Sequence, residues 1–140
     1  MLLYVDSSAA LAWLLDEPGA AAAGATLNSA DRIATSALTL LECSRGLTRA
    51  RAVGRITREH ELSLRHTLDV AALNWDVLDI TEDVLANART EFPVEPVRSQ
   101  DAIQLATAIQ LLRQLGDISM LCFDKRLTAN ALALGISVLP

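Results

Sequence analysis

Aromatic side chains make up only 4% of this chain, and no apolar run approaches the ~20 residues of a membrane-spanning helix. Histidine and cysteine occur twice each. Each shortage removes a class of function. Cys43 and Cys122 both sit in apolar segments, so they read as small core residues rather than a disulfide framework. That usage fits a reducing, cytoplasmic setting. His60 and His66 lie on a polar helical stretch and read as solvated. No Ser-His-Asp order, P-loop or GxGxxG occurs. The apolar opening MLLYVDSSAALAWLL lacks a basic start and is interrupted by Asp6, which argues for a strand running into a helix rather than a signal peptide. The net charge of −5 is unfavourable for a nucleic-acid binder as a bulk property. Its distribution is uneven, however: six of the twelve basic residues are Arg45, Arg49, Arg51, Arg55, Arg58 and Arg65.

What the chain has is a hydrophobic half and a length of 140 residues, enough for one self-sufficient domain over 1–140. Short β-rich runs alternate with helical segments. Strands are expected at 2–6, 32–35, 77–80, 118–123 and 136–139. Helices are expected from Ser7 to about Leu15, over 20–29, from Ser36, over about 56–73, after Thr81, from Ser99 to about Leu115, and from Asp124 to Gly135. The proline-bearing stretch 92–98 reads as the one real loop. This alternation implies an α/β domain with a largely parallel sheet.

Most of the seventeen acids need no explanation beyond solvation. Asp16, Glu17, Glu59, Glu61, Asp69, Glu91 and Glu95 fall on polar faces or in turns, with Glu61 and Arg65 spaced as an exposed helix pair. Four acids are different. Asp6 and Asp124 each close an apolar strand, at the end of a parallel sheet where ligands bind. Asp101 lies in the first turn of an apolar helix, and Glu42 lies inside Leu38–Cys43, on a face expected to be largely buried. Taken singly, Asp6 and Asp124 have an alternative as helix caps, Asp101 as a partner of the helix dipole, and Glu42 as a partner of Arg45 or Arg49. Taken together, they gather negative charge at one end of one sheet. Two unit charges ~5 Å apart repel by roughly 3 kcal/mol at an effective dielectric of 20, which a bound cation relieves. An all-oxygen set suits Mg²⁺ or Mn²⁺ rather than Zn²⁺.

At these residues the sequence resembles PIN domains, specifically the VapC-like toxin ribonucleases of bacterial and archaeal toxin–antitoxin pairs. Val5-Asp6-Ser7-Ser8-Ala9 resembles the opening motif, and the run from Ser36 to Glu42 the second. The run from Ser99 to Ala108 resembles the third motif, and Phe123-Asp124-Lys125-Arg126-Leu127 followed by Gly135 the fourth. Gln104 stands where many relatives carry His, so no role of that His carries over. Ser7 and Ser99 flank two acids and read as caps. The resemblance implies a three-layer α/β/α domain with a short, mainly parallel central sheet. It also implies an endoribonuclease whose Asp6, Glu42, Asp101 and Asp124 hold Mg²⁺ or Mn²⁺, a cognate antitoxin that blocks the site, and a homodimer.

The expected chemistry is metal-assisted hydrolysis of an RNA phosphodiester. Arg45, Arg49, Arg51, Arg55 and Arg58 are the candidate phosphate contacts, the last three sharing a face if their helix is continuous. A solvated arginine face is the plain alternative. Two other functions stay open: a non-catalytic PIN-fold interaction module, and another Mg²⁺-dependent phosphohydrolase with Asp6 as nucleophile. The Asp-x-Asp pairing usual for the latter is absent, because Ser8 follows Ser7.

Overall fold

A computed structural model of the chain describes all of residues 1–140. The elements run β1 (Leu2–Val5), α1 (Ser7–Leu14), α2 (Ala20–Ser29), β2 (Arg32–Ser36), α3 (Ala37–Ala52) and α4 (Arg58–Asn74). They continue β3 (Asp76–Leu78), α5 (Glu82–Ala88), α6 (Ser99–Leu115), β4 (Ser119–Leu121), α7 (Lys125–Ala133) and β5 (Ser137–Leu139). The five strands form one sheet in the order β3-β2-β1-β4-β5. Every pairing is parallel, with Leu3 opposite Ile33 on one side and Ser119 on the other.

Strand alternation splits the interior into two cores. Leu3 and Val5 join Ala9, Ala10, Leu14, Cys43 and Leu68 on the face covered by α1 to α4. Tyr4 turns the other way, joining Leu105, Ala108, Met120, Cys122 and Leu127 against α6 and α7. Leu3, Tyr4 and Val5 are fully buried, as a central parallel strand requires. Burying one such aliphatic side chain contributes roughly 1.5–3 kcal/mol. The result is the expected three-layer α/β/α arrangement. No helix is long and apolar enough to cross a membrane.

The sheet order reverses around β1: the chain winds outward to β3, then crosses back to place β4 on the other flank of β1. A crevice opens outside the carboxyl ends of strands at such a switch point. Residues following β1 and β4 therefore face the same opening.

Several local expectations need correction. Asp6, not Ser7, caps α1, accepting the Ser8 N–H. Ser99 opens α6, but the cap position belongs to Arg98 and carries no side-chain cap bond. As the two separate expected helices imply, the condition of a continuous arginine-bearing helix is not met: α3 ends at Ala52, Gly54 takes φ +79°, and α4 begins at Arg58. Arg51, Arg55 and Arg58 therefore do not share one helical face. Glu61 is buried rather than exposed, and its carboxylate holds Arg51 at 2.7 Å and Arg65 at 3.1 Å. Burial pushes this carboxyl up, but hydrogen bonds from Arg65 and Arg51 outweigh it and hold the group below the ordinary glutamate value. Arg65 also donates to Thr48 Oγ1 and the Ser44 carbonyl, so the cluster locks α4 onto α3. Glu95 is not merely solvated either: it accepts the N–H groups of Phe92 and Val97 and ties its own loop into a turn.

Candidate active site

The four acids reach the site from three kinds of position. Asp6 follows β1, Glu42 lies in the second turn of α3, Asp101 in the first turn of α6, and Asp124 caps α7. Asp6 is only 3% exposed. Glu42, Asp101 and Asp124 are half-buried, so Glu42 is less enclosed than its apolar neighbours suggest.

Each acid has one oxygen with a protein partner, an exposed one for Asp101, and leaves the other without a protein hydrogen bond. Asp6 Oδ2 accepts the Ser8 N–H at 3.0 Å, the Ser8 hydroxyl, and the Cys122 thiol at 3.5 Å. Glu42 Oε1 accepts from Gln104 Nε2 at 3.1 Å, and neither Arg45 nor Arg49 pairs with it. Asp101 Oδ2 faces Arg98 Nε at 3.4 Å, an exposed contact that contributes little. Asp124 Oδ1 accepts the Leu127 N–H at 2.8 Å. The capping alternatives for Asp6 and Asp124 are thus real, and each uses only one oxygen.

The acids fall into two neighbouring pairs. The charge of Glu42 is felt at Asp6, whose pKa burial raises from 3.8 to about 6, against hydrogen bonds from Ser8 and Cys122 that favour the charged form. Asp101 and Asp124 line one cleft of about 360 Å³ with Arg98, Lys125 and Arg126, and nothing apolar lines it. Cys122 joins the pairs, with Sγ 3.5 Å from both Asp6 Oδ2 and the Asp124 carbonyl. As the side chains stand, no three His, Cys, Asp or Glu residues converge closely enough to hold a metal ion. The donor chemistry nevertheless suits a hard cation. Cys43 and Cys122 are buried, and burial, with the charge of Asp6, pushes both thiols up to about 12, so the donors open to solvent are carboxylate oxygens.

Three residues have structural roles that the sequence did not reveal. Ser8 donates to Asp6 and accepts the Phe123 N–H at 3.0 Å, clamping the end of β4 to the start of α1. Asn130, fully buried, binds both the N–H and the carbonyl of Val94 at 2.9 Å, pinning the loop before α6 to α7. Gln104 is 1% exposed and touches Tyr4, Thr39 and Glu42. Ser8 sits beside an acid in its motif, which was a usable signal. Asn130 and Gln104 acquire their partners only through tertiary contact.

The profile of the PIN domain matches residues 3–132. The chain belongs to the PIN-domain family. Ribonuclease VapC47 of Mycobacterium tuberculosis (strain CDC 1551 / Oshkosh) is 31% identical over 138 residues, spanning 96% of this chain and 93% of that relative. Among solved structures, a toxin–antitoxin complex from Klebsiella pneumoniae matches with a TM-score of 0.66 at 18% identity, covering 99% of this chain and 96% of that one. VapC20 of Mycobacterium tuberculosis, described as a sarcin–ricin loop cleaving toxin, matches at 0.63 and 18%, covering 91% and 93%. These two structures speak for the fold alone. In this PIN domain the acids occupy the carboxyl edge of the sheet.

The arginines around that edge divide by partner. Arg51 is held by Glu61 at 2.7 Å, and Arg55 faces Glu17 at 3.6 Å. Arg45 and Arg49 have no ion-pair partner and line a groove of about 340 Å³ that also contains Glu42 and Gln100. Arg58, exposed at the start of α4, lies beyond the break in the helix.

Proposed function

We propose that this PIN-domain protein is an endoribonuclease, the toxin of a toxin–antitoxin pair, whose Asp6, Glu42, Asp101 and Asp124 hold Mg²⁺ or Mn²⁺. One observation carries the reading: each of these acids keeps one carboxylate oxygen free of protein partners, and in Asp6, Glu42 and Asp124 the other is anchored. Anchoring restricts the side chain, and the free oxygen has no protein donor to neutralise it. Similarity to a ribonuclease over 96% of the chain supports RNA as the substrate.

A bound divalent ion supplies a water of lowered pKa and neutralises charge that grows on the phosphate. The protein's own residues do the rest. Burial of Asp6 makes its negative charge costly when alone, which favours an arriving cation. Asp101, whose only partner is the exposed Arg98, would be available to hold that cation. Arg45 and Arg49, in the groove with Glu42, and Arg98 and Lys125, in the cleft with Asp101 and Asp124, would bind backbone phosphates beside the carboxylates. Arg51 serves α3 and α4 instead.

The similarity to a toxin–antitoxin complex supports a cognate antitoxin as partner. The homodimer implied by the sequence resemblance belongs to the same reading. Two buried thiols kept fully protonated suit a cytoplasmic setting.

The test is incubation of the purified, partner-free protein with total cellular RNA in Mg²⁺ or Mn²⁺, beside EDTA and Asp6→Asn controls. Discrete fragments that disappear in both controls are expected. Cleavage that persists in EDTA would refute the metal-dependent reading. Absence of both cleavage and Mn²⁺ binding would leave the interaction module, and an acyl-phosphate trapped on Asp6 would favour the phosphohydrolase.

A further inference from the structure

Gln104 is among the most deeply buried polar side chains, and its three hydrogen bonds form a directed chain. The Tyr4 hydroxyl donates to its Oε1 at 2.6 Å. Its Nε2 donates to Thr39 Oγ1 at 2.9 Å and to Glu42 Oε1 at 3.1 Å. An amide has one accepting end and one donating end, so a phenol that donates into the oxygen determines where the nitrogen points. Here it points at Glu42.

We propose that Gln104 is the positioning residue that fixes the Glu42 carboxylate for cation binding, with the Tyr4 hydroxyl setting the direction of its amide. The inference rests on the metal reading above and adds how one ligand is held.

The chain ends differently from the other buried polar contacts of the core. Thr35 Oγ1 ends on the Val5 carbonyl and Asn130 on the backbone of Val94, where both serve the fold. Gln104 ends on a half-buried carboxylate that lines an open groove. Its donor is neutral, so it orients Glu42 without cancelling the charge a cation needs. Holding Oε1 leaves Oε2 free and removes the torsional freedom a glutamate otherwise loses on ligation. Gln104 also lies one helical turn after Asp101 on α6, so the same face brings a ligand and the support of another ligand to the site.

The experiment is a Mn²⁺ titration of the full chain by calorimetry, with folding checked by thermal unfolding in EDTA. The variants are Gln104→Met, Gln104→His, Tyr4→Phe, Glu42→Gln and the double Glu42→Gln, Gln104→Met. Loss of such an outer hydrogen bond weakens metal affinity by about 10- to 100-fold, so Gln104→Met is expected in that range. Tyr4→Phe weakens it less, and Gln104→His, which keeps an N–H donor, recovers part of the loss. Adding Gln104→Met to Glu42→Gln causes no further loss, because Gln104 acts through Glu42. Unchanged affinity in Gln104→Met overturns the proposal, and so does an equal further loss in the Glu42→Gln background, which marks a role in the scaffold only. Should Gln104→Met fail to fold, Gln104→Asn replaces it, its shorter amide no longer reaching Glu42. Unchanged affinity in that variant overturns the proposal equally. If wild type binds no Mn²⁺, the metal reading itself falls and this proposal with it; if Glu42→Gln binds it as wild type does, Glu42 is no ligand and this proposal alone is overturned.

Discussion

Ser8 and Asp6 are joined twice, because both the backbone N–H and the hydroxyl of Ser8 donate to the same oxygen, Oδ2. The arrangement holds the carboxylate rigid and leaves Oδ1 bare. Burial outweighs this support and raises the Asp6 pKa from 3.8 to about 6. A carboxyl raised on folding stabilises the protein below its unfolded value and loses that contribution as pH rises through the folded value. In metal-free solution the loss amounts to roughly 3 kcal/mol between about pH 4 and pH 7, at 1.36 kcal/mol per unit. Asp6→Asn removes it. Thermal melts in EDTA are expected to show Asp6→Asn above wild type at pH 8, with the gap closing toward pH 4. Added Mn²⁺ raises the wild-type midpoint and leaves the variant where it was.

Glu61 is the keystone of the α3–α4 pair. Glu61→Ala strands Arg51 and Arg65 without their carboxylate, and a lowered unfolding midpoint follows. Because its folded pKa lies below the ordinary value, its contribution is present above the usual glutamate range and is lost as pH falls below it. The difference in midpoint between wild type and Glu61→Ala therefore shrinks in acid. A constant difference down to the lowest pH at which both fold would contradict this account.

Asn130→Ala releases the loop before α6 from α7. Two hydrogen bonds to Val94 and one to the Arg126 carbonyl are lost, for about 2 kcal/mol in urea unfolding. Hydrogen exchange is expected to quicken over residues 92–98, with β1 unaffected. Uniform quickening of the whole chain would show that the bond network is global rather than local.

Arg45 and Arg49 are free to meet phosphate, whereas Arg51 is committed to Glu61. Arg45→Ala and Arg49→Ala should each weaken binding of a non-cleavable single-stranded RNA and flatten its salt dependence by about 0.7 for each phosphate left unneutralised. Arg51→Lys keeps a cation on α3 and is expected to leave that slope alone. A slope unchanged in both alanine variants would remove this groove from the RNA path.

The sequence exposed those features that depend on local order. Strand 2–6 shows as an unbroken apolar run, and Asp6 and Asp124 show because each interrupts such a run at its end. The helices over 20–29 and 99–115 emerged with their bounds nearly right, the latter closed by Gly116 at φ +83°. The residues that were misread share one cause. Glu61 follows the exposed i,i+4 pattern with Arg65, and only the fold of α4 back onto α3 buries it beside Arg51. Gln104, to which the sequence assigned no role, sits among apolar residues of α6 and acquires meaning only when Tyr4 and Glu42 arrive from elsewhere in the chain. The break between α3 and α4 falls between the two helices expected from Ser36 and over about 56–73, where Gly54 takes φ +79° and Thr57 caps α4; only the conditional sharing of one face by Arg51, Arg55 and Arg58 fails.

Mn²⁺ titration of wild type beside Asp6→Asn, Glu42→Gln, Asp101→Asn and Asp124→Asn asks whether four separate carboxylates act as one cation site. Wild type is expected to bind Mn²⁺, with marked weakening in the first three variants and the smallest in Asp124→Asn, whose side chain also caps α7. Wild type that binds no Mn²⁺, or binding that all four substitutions leave untouched, would contradict the account.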